Sequence, residues 1–171
     1  SIECMRGNGP KDLMDIIYYL GQEILNLTGV QNSREQLEKA IYDGSALEKF
    51  RQMVRGHGGS VESLDNPKTH EPQFRETIYA EKNGYITYMD TVLLGLILLN
   101  LGGGRKYIND VLDPTVGMIF HKKLGNAVSK GEIVLEYFCS DEDKSESVKS
   151  SIARAIQIKS KAPDLVGCIY K

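Results

Sequence analysis

Residues 77–91, TIYAEKNGYITYMDT, decide the fold. Before them apolar residues recur at helical spacing; from here on the period shortens to that of strands. Thr77-Ile-Tyr-Ala and Tyr85-Ile-Thr-Tyr are rich in β-branched and aromatic residues. They flank Asn83-Gly84, a dipeptide suited to a two-residue hairpin turn. The expectation is a hairpin, then an apolar helix over 91–101 that Asp90 caps.

Working toward the C-terminus, Val116–Lys123 and Ile133–Phe138 read as two more strands, joined by Leu124–Gly131. Ser140-Asp-Glu-Asp143 opens a helix carrying Val148, Ile152, Ala155 and Ile156. Carboxylates at a helix start favour its dipole, which accounts for that acidic run better than a cation site. Val166, Cys168 and Tyr170 suggest a last short strand after Pro163.

Working toward the N-terminus, Pro10 begins a helix in which Leu13, Ile16, Ile17, Leu20, Ile24 and Leu27 share one face. Ser33-Arg-Glu-Gln36 and Ser45-Ala-Leu-Glu48 have the pattern of capping boxes for two further helices. Their stripes, Leu37 with Ile41 and Leu47 with Phe50 and Val54, are long for so small a unit and look made to lie against something larger. Residues 56–75 hold three glycines and two prolines, so no regular element is expected there. The fold class is therefore α+β: helices over 1–57, a linker over 58–75, and an α/β unit over 76–171.

Bulk composition excludes several functions. The 171 residues are 41% hydrophobic and 26% charged, as in an ordinary soluble domain. Twenty-one basic residues against 23 acidic ones leave a formal charge of −2, with no footprint for nucleic acid. Cys4, Cys139 and Cys168 are scattered and lack CxxC spacing, so free thiols in a reducing compartment are the reading, with no metal ligands. His57 and His70 read as exposed loop residues. The apolar run VLLGLILLNL at 92–101 is too short to span a bilayer and reads as a buried helix. With no signal peptide at the N-terminus, the cytoplasm and no membrane partner are the default.

The chemistry-bearing candidates are few. No nucleophile elbow, Walker loop or zinc-protease motif is present. Lys130, in Val-Ser-Lys-Gly between two strands, superficially suits a lipoyl-type carrier, but it lacks the flanking residues of a modified lysine. Gly102, Gly103 and Gly104, followed by Arg105 and Lys106, invite a phosphate-loop reading. Such loops run from a strand into a helix, whose N-terminus faces the anion. These glycines come after a helix, at its negative end, so Gly102 is first of all a C-cap. Arg105 and Lys106 then either complement the last helix carbonyls or belong to a joint that closes over an anionic substrate held elsewhere.

Five segments in order resemble one family: ECMRGNGPKDL (3–13), DGSALEKFRQMVRGHGG (43–59), NGYITYMDT (83–91), LGLILLNLGGGR (94–105) and DPTVGMIFHKKLGNAVSKGE (113–132). They are similar to the C-terminal portion of pyrimidine-nucleoside phosphorylases, thymidine phosphorylase among them. The resemblance implies cleavage of thymidine, uridine or deoxyuridine by inorganic phosphate, giving the free base and a (deoxy)ribose 1-phosphate. It implies a homodimeric, domain-closing enzyme whose C-terminal domain is hammerhead-like with partial barrel-sandwich character.

The same resemblance implies that the first three-fifths of such an enzyme, with its phosphate, base and monovalent-cation ligands, have no counterpart in these residues. No catalytic residue, metal or cofactor is then expected in this chain, and alone it should be inactive. Residues 1–57 would be closing helices of the catalytic domain. Gly102, Gly103, Gly104, Arg105 and Lys106 would form a lid at the mouth of the active-site cleft. The competing expectation is a free-standing ligand-binding or interaction domain of the same fold.

Overall fold

The structure, a computed structural model, describes residues 1–66, 71–165 and 167. It contains two compact units, Ser1–Thr69 with Gly167–Lys171, and His70–Val166. The chain is α+β, with helices in the first unit and two small sheets with helices in the second.

In the first unit, α1 (Ile2–Met5) precedes α2 (Lys11–Leu27), α3 (Ser33–Tyr42) and α4 (Ser45–Gly56). Pro10 is the N-cap of α2; its carbonyl accepts from the Met14 amide at 2.9 Å. Gly29, at φ 78°, ends the helix. Gly21 lets α3 approach closely, since a Cβ there would stand 3.0 Å from Leu37 Cδ1. Cys4 and Met14 are the buried hydrophobic residues of this unit among those described. The predicted stripe on α2 is helical but not covered: Leu13, Ile17, Leu20, Ile24 and Leu27 are exposed.

Neither capping box forms. Asn32 and Gly44, both left-handed, are the N-caps of α3 and α4, and neither makes a side-chain cap bond. These left-handed residues start each helix one position earlier than the serine pattern implies. Ser33 Oγ donates instead to Asn26 Oδ1 at 2.7 Å, and Gln36 Nε2 donates to the Gln31 carbonyl at 2.9 Å. The linker also holds a helical turn, α5 (Glu62–Asp65). Asp65 ties that turn to the helices through Arg51 at 2.8 Å and Arg6 at 3.3 Å.

In the second unit, β1 (Phe74–Tyr79), β5 (Ile133–Cys139) and β3 (Gly117–Phe120) form one antiparallel sheet in the order β1-β5-β3. Ile78 stands opposite Leu135, and Met118 opposite Tyr137. A second antiparallel sheet runs β4-β2-β6, from Ala127–Val128, Gly84–Met89 and Ile156–Lys159. Two further helices are α6 (Thr91–Leu98) and α7 (Glu142–Ala155). The core joins Ile86 of β2, Ile97 of α6, Leu135, Tyr137 and Cys139 of β5, and Val148 and Ile152 of α7. The Tyr137 hydroxyl enters this core because it donates to the Ser145 carbonyl at 3.1 Å.

The hairpin at Asn83-Gly84 does not exist: β1 and β2 belong to different sheets. Gly84 sits inside β2 against β6, and Asn83 Oδ1 accepts from the Lys130 amide at 2.7 Å. The dipeptide carries the chain from one sheet to the other. Strand β6 replaces the predicted end of the last helix, because Ile156 and Ile158 alternate with polar Gln157 and Lys159 and pair with β2. The last strand suggested by Val166, Cys168 and Tyr170, like His70, lies outside the described residues.

Candidate functional site

The site is built on the end of α6. Asp90 caps that helix by accepting from the Leu93 amide at 2.9 Å. Leu94 and Ile97 point into the core, while Val92 and Leu96 are exposed, so the apolar run is buried on one face only. The helix then widens into a π-helical turn, Leu99–Gly103, in which Gly102 takes φ 113°. A side chain would be strained there. Gly103 is tight for a different reason: its Cβ would stand 2.9 Å from Val116 Cγ1.

These two glycines form one side of a neck, and Asp113 to Val116 form the other. The Asp113 amide donates to the Gly102 carbonyl at 3.0 Å, closing a loop over 103–112. That carbonyl is thus satisfied by Asp113 rather than by Arg105 or Lys106. The Asp113 carboxylate accepts from the Thr115 amide at 2.8 Å and the Thr115 hydroxyl at 2.6 Å. It also accepts from the Ser140 amide at 3.2 Å and from the Ser140 hydroxyl. Burial works against its charge, but the Ser140 and Thr115 hydroxyls and their amides outweigh it and hold the carboxyl down to about 2.

Asp110 organises the loop internally. Its carboxylate accepts from the Lys106 and Tyr107 amides, both at 2.9 Å, and its own amide donates to the Tyr107 carbonyl at 3.1 Å. The bonds from the Tyr107 and Lys106 amides lower its pKa. Arg105 and Lys106 are exposed, as are Tyr107 at 75%, Ile108 at 90% and Val111 at 92%. The sequence candidates Gly102, Gly103, Gly104, Arg105 and Lys106 therefore occupy the neck and first turn of one loop. Its first turn presents two cations, and Tyr107, Ile108 and Val111 beyond them are exposed.

Asp110, Asp113 and Ser140 were not legible as site residues. Asp113-Pro114-Thr115 carries the signature of a side-chain-stabilised turn, which is the signal that was available. Nothing in the sequence points from Asp113 to Ser140, 27 positions away.

The arrangement offers exposed positive charge beside apolar side chains, with no activated nucleophile among them. Among the described residues no cluster of His, Cys, Asp or Glu is placed to hold a metal ion. Cys4 and Cys139 are buried free thiols, and Cys168 lies outside the described residues. Asp141, from the acidic run, caps α7 by accepting from the Lys144 amide at 3.0 Å. Lys130 is exposed on a turn whose Gly131 takes φ 83°. No helix among the described residues is long and apolar enough to cross a membrane.

Similarity to known proteins is found in both units. Residues 85–159 match the family model for the pyrimidine nucleoside phosphorylase C-terminal domain. The pyrimidine-nucleoside phosphorylase of Staphylococcus epidermidis (strain ATCC 12228) is 33% identical over 172 residues, covering 97% of this chain and 40% of that protein. The pyrimidine-nucleoside phosphorylase of Staphylococcus aureus (strain USA300) is 32% identical over 154 residues, covering 87% and 36% respectively. The chain thus spans about two-fifths of the length of the curated relatives it matches.

Proposed function

We infer the function from a premise of family: over 97% of its length, this chain matches the C-terminal portion of the pyrimidine-nucleoside phosphorylases. It is the closing part of an enzyme that transfers a pentosyl group from a pyrimidine nucleoside to phosphate. In that reaction the C1′–N bond breaks, a C1′–O bond to phosphate forms, and the departing base takes a proton. The products are the free base and a (deoxy)ribose 1-phosphate. The single observation that carries this reading is similarity along nearly the whole chain, including both units.

In this reading the loop over 103–112 is the lid. Gly102, Gly103 and Gly104 are its joint, while Arg105 and Lys106 bring positive charge toward a phosphate held by the other three-fifths of the enzyme. A lid excludes water and aligns the reactants, which lowers the barrier without any bond-making group of its own. The phosphate, the base and any monovalent cation are bound by residues outside this chain. The intact enzyme is a cytoplasmic homodimer, and the 171 residues alone are inactive.

The test is phosphate-dependent release of thymine and uracil from thymidine and uridine. It is run with the 171-residue chain and with the same chain joined to the upstream portion of a relative. The expected result is no release by the first and turnover by the second, with Arg105→Ala lowering that turnover. Release by the 171-residue chain alone overturns the assignment of the reacting groups to the upstream part.

A further inference from the structure

We propose that Asp113 is a positioning residue for the 103–112 loop, a latch post that fixes the stance of the lid by tying its neck to Ser140. This rests on the reading of that loop as a lid. The two sides of the neck lie close: a Cβ on Gly102 would stand 3.4 Å from Asp113 Cβ, and one on Gly103 2.9 Å from Val116 Cγ1. Backbone alone contributes one bond across it, from the Asp113 amide to the Gly102 carbonyl. Val116 packs against the core, and the side-chain hydrogen bonds of the returning segment converge on one carboxylate.

That carboxylate has two oxygens with separate duties. Oδ1 accepts from the Thr115 amide and hydroxyl and so fixes the turn through Pro114. Oδ2 accepts from the Ser140 amide and hydroxyl, at the point where β5 hands over to α7. Both β5 and α7 supply the buried core of the second unit, through Tyr137, Cys139, Val148 and Ile152. Asp113 therefore transmits the rigidity of the core to the root of a loop whose tip is exposed. Hydrogen bonds to a charged acceptor are the strong ones, and four of them meet here. Asp110 ties the first turn through the Lys106 and Tyr107 amides, and that turn is held in place only while the root beneath it is.

The structure thus separates two roles in one loop. Arg105 and Lys106 are presented, while Asp113 sets where they are presented. Losing Asp113 leaves the loop's sequence and the charge of its first turn intact but frees its root.

Trypsin reads this directly, because Arg105 and Lys106 are its sites and lie on the exposed first turn. Cleavage there requires the loop to leave its ordered conformation. In the 171-residue chain, Asp113→Ala is expected to accelerate cleavage after Arg105 and Lys106 by tenfold or more. Cleavage after Lys149 and Arg154, exposed on α7, should be unchanged. Ser140→Ala and Asp113→Asn, each of which keeps part of the latch, should fall between the wild type and Asp113→Ala.

Two results overturn the proposal: loop cleavage unchanged in both Asp113→Ala and Ser140→Ala, or cleavage in the loop and in α7 rising together. If Asp113→Ala does not fold, Ser140→Ala alone decides between local loosening and none. The assay uses no substrate, so a failure of the phosphorylase reading leaves its outcome intact. Equally, unchanged cleavage sinks the latch even where the joined enzyme turns over.

Discussion

The backbone carbonyl of Lys159 stands where a side chain on Gly84 would begin. A Cβ built on Gly84 also falls 2.9 Å from Ile158 Cγ2 and 3.0 Å from the Lys159 carbonyl carbon. Backbone cannot yield as a flexible side chain can, so β2 and β6 pair at this point only because residue 84 is glycine. Gly84→Ala is expected to cost about 2–4 kcal/mol through overpacking and forced backbone movement. Urea denaturation of the two proteins measures it, and a loss below about 0.5 kcal/mol contradicts the close approach.

That contact also marks what was legible in the sequence. Asp90 and Asp141 were read as helix starts because the cap bond reaches only three residues along the chain. The alternation of Leu135, Tyr137 and Cys139 likewise exposes β5. Asn83-Gly84 has the local chemistry of a hairpin, yet its partners are Lys130 and the strand at 156–159. Pairing over such distances is settled by the core, to which Ile86, Ile97 and Ile152 contribute. Ser33 and Ser45 misled for a smaller reason: Asn32 and Gly44 turn left-handed and take the cap position themselves. In the candidate site, Gly102 was read as the helix C-cap; the structure places it inside the π-helical turn and gives the cap to Gly104. The Asp113–Ser140 tie was not legible, because no local pattern encodes a contact across 27 residues.

Asp90 offers a quantitative check on the helix that ends in the loop. Its side chain satisfies the Leu93 amide, one of the donors that a helix start leaves unpaired. Asp90→Ala should cost about 1 kcal/mol, whereas Asp90→Ser or Asp90→Asn should recover most of it. Thermal unfolding followed by circular dichroism separates the two classes. Equal losses for all three substitutions point to a role for Asp90 other than capping.

The pH dependence of the loop root follows from Asp113. Its folded pKa, about 2, lies below the ordinary aspartate value of 3.8. The unfolded chain therefore binds the proton more tightly, and stability from this group is complete above pH 3.8 and lost as pH falls through about 2. Above pH 5 the Asp113 contribution should be flat. Carbon-detected NMR titration of the side-chain carboxyl should place its midpoint well under those of exposed aspartates. Asp113→Asn should remove that step from the acid limb of the stability curve. A midpoint near 3.8 contradicts the four-bond arrangement.

The last prediction concerns the stripe on α2. Leu20 is 54% exposed and Ile24 62%, although both sit at the spacing of a core-facing row. Met14, on the same helix, is buried. In the 171-residue chain, Leu20→Lys and Ile24→Lys should each change stability by less than about 0.5 kcal/mol. Met14→Ala should cost about 2 kcal/mol or more, by cavity formation. An exposed apolar row also favours self-association, so the two lysine substitutions should lower the weight-average mass found by sedimentation equilibrium at high concentration. On the proposed reading of 1–57 as helices of the catalytic domain, the same lysines should become strongly destabilising once the chain is joined to the upstream part of a phosphorylase. If they stay neutral in the joined protein, the stripe was never an internal face, and the helices of the first unit form a complete module as they stand.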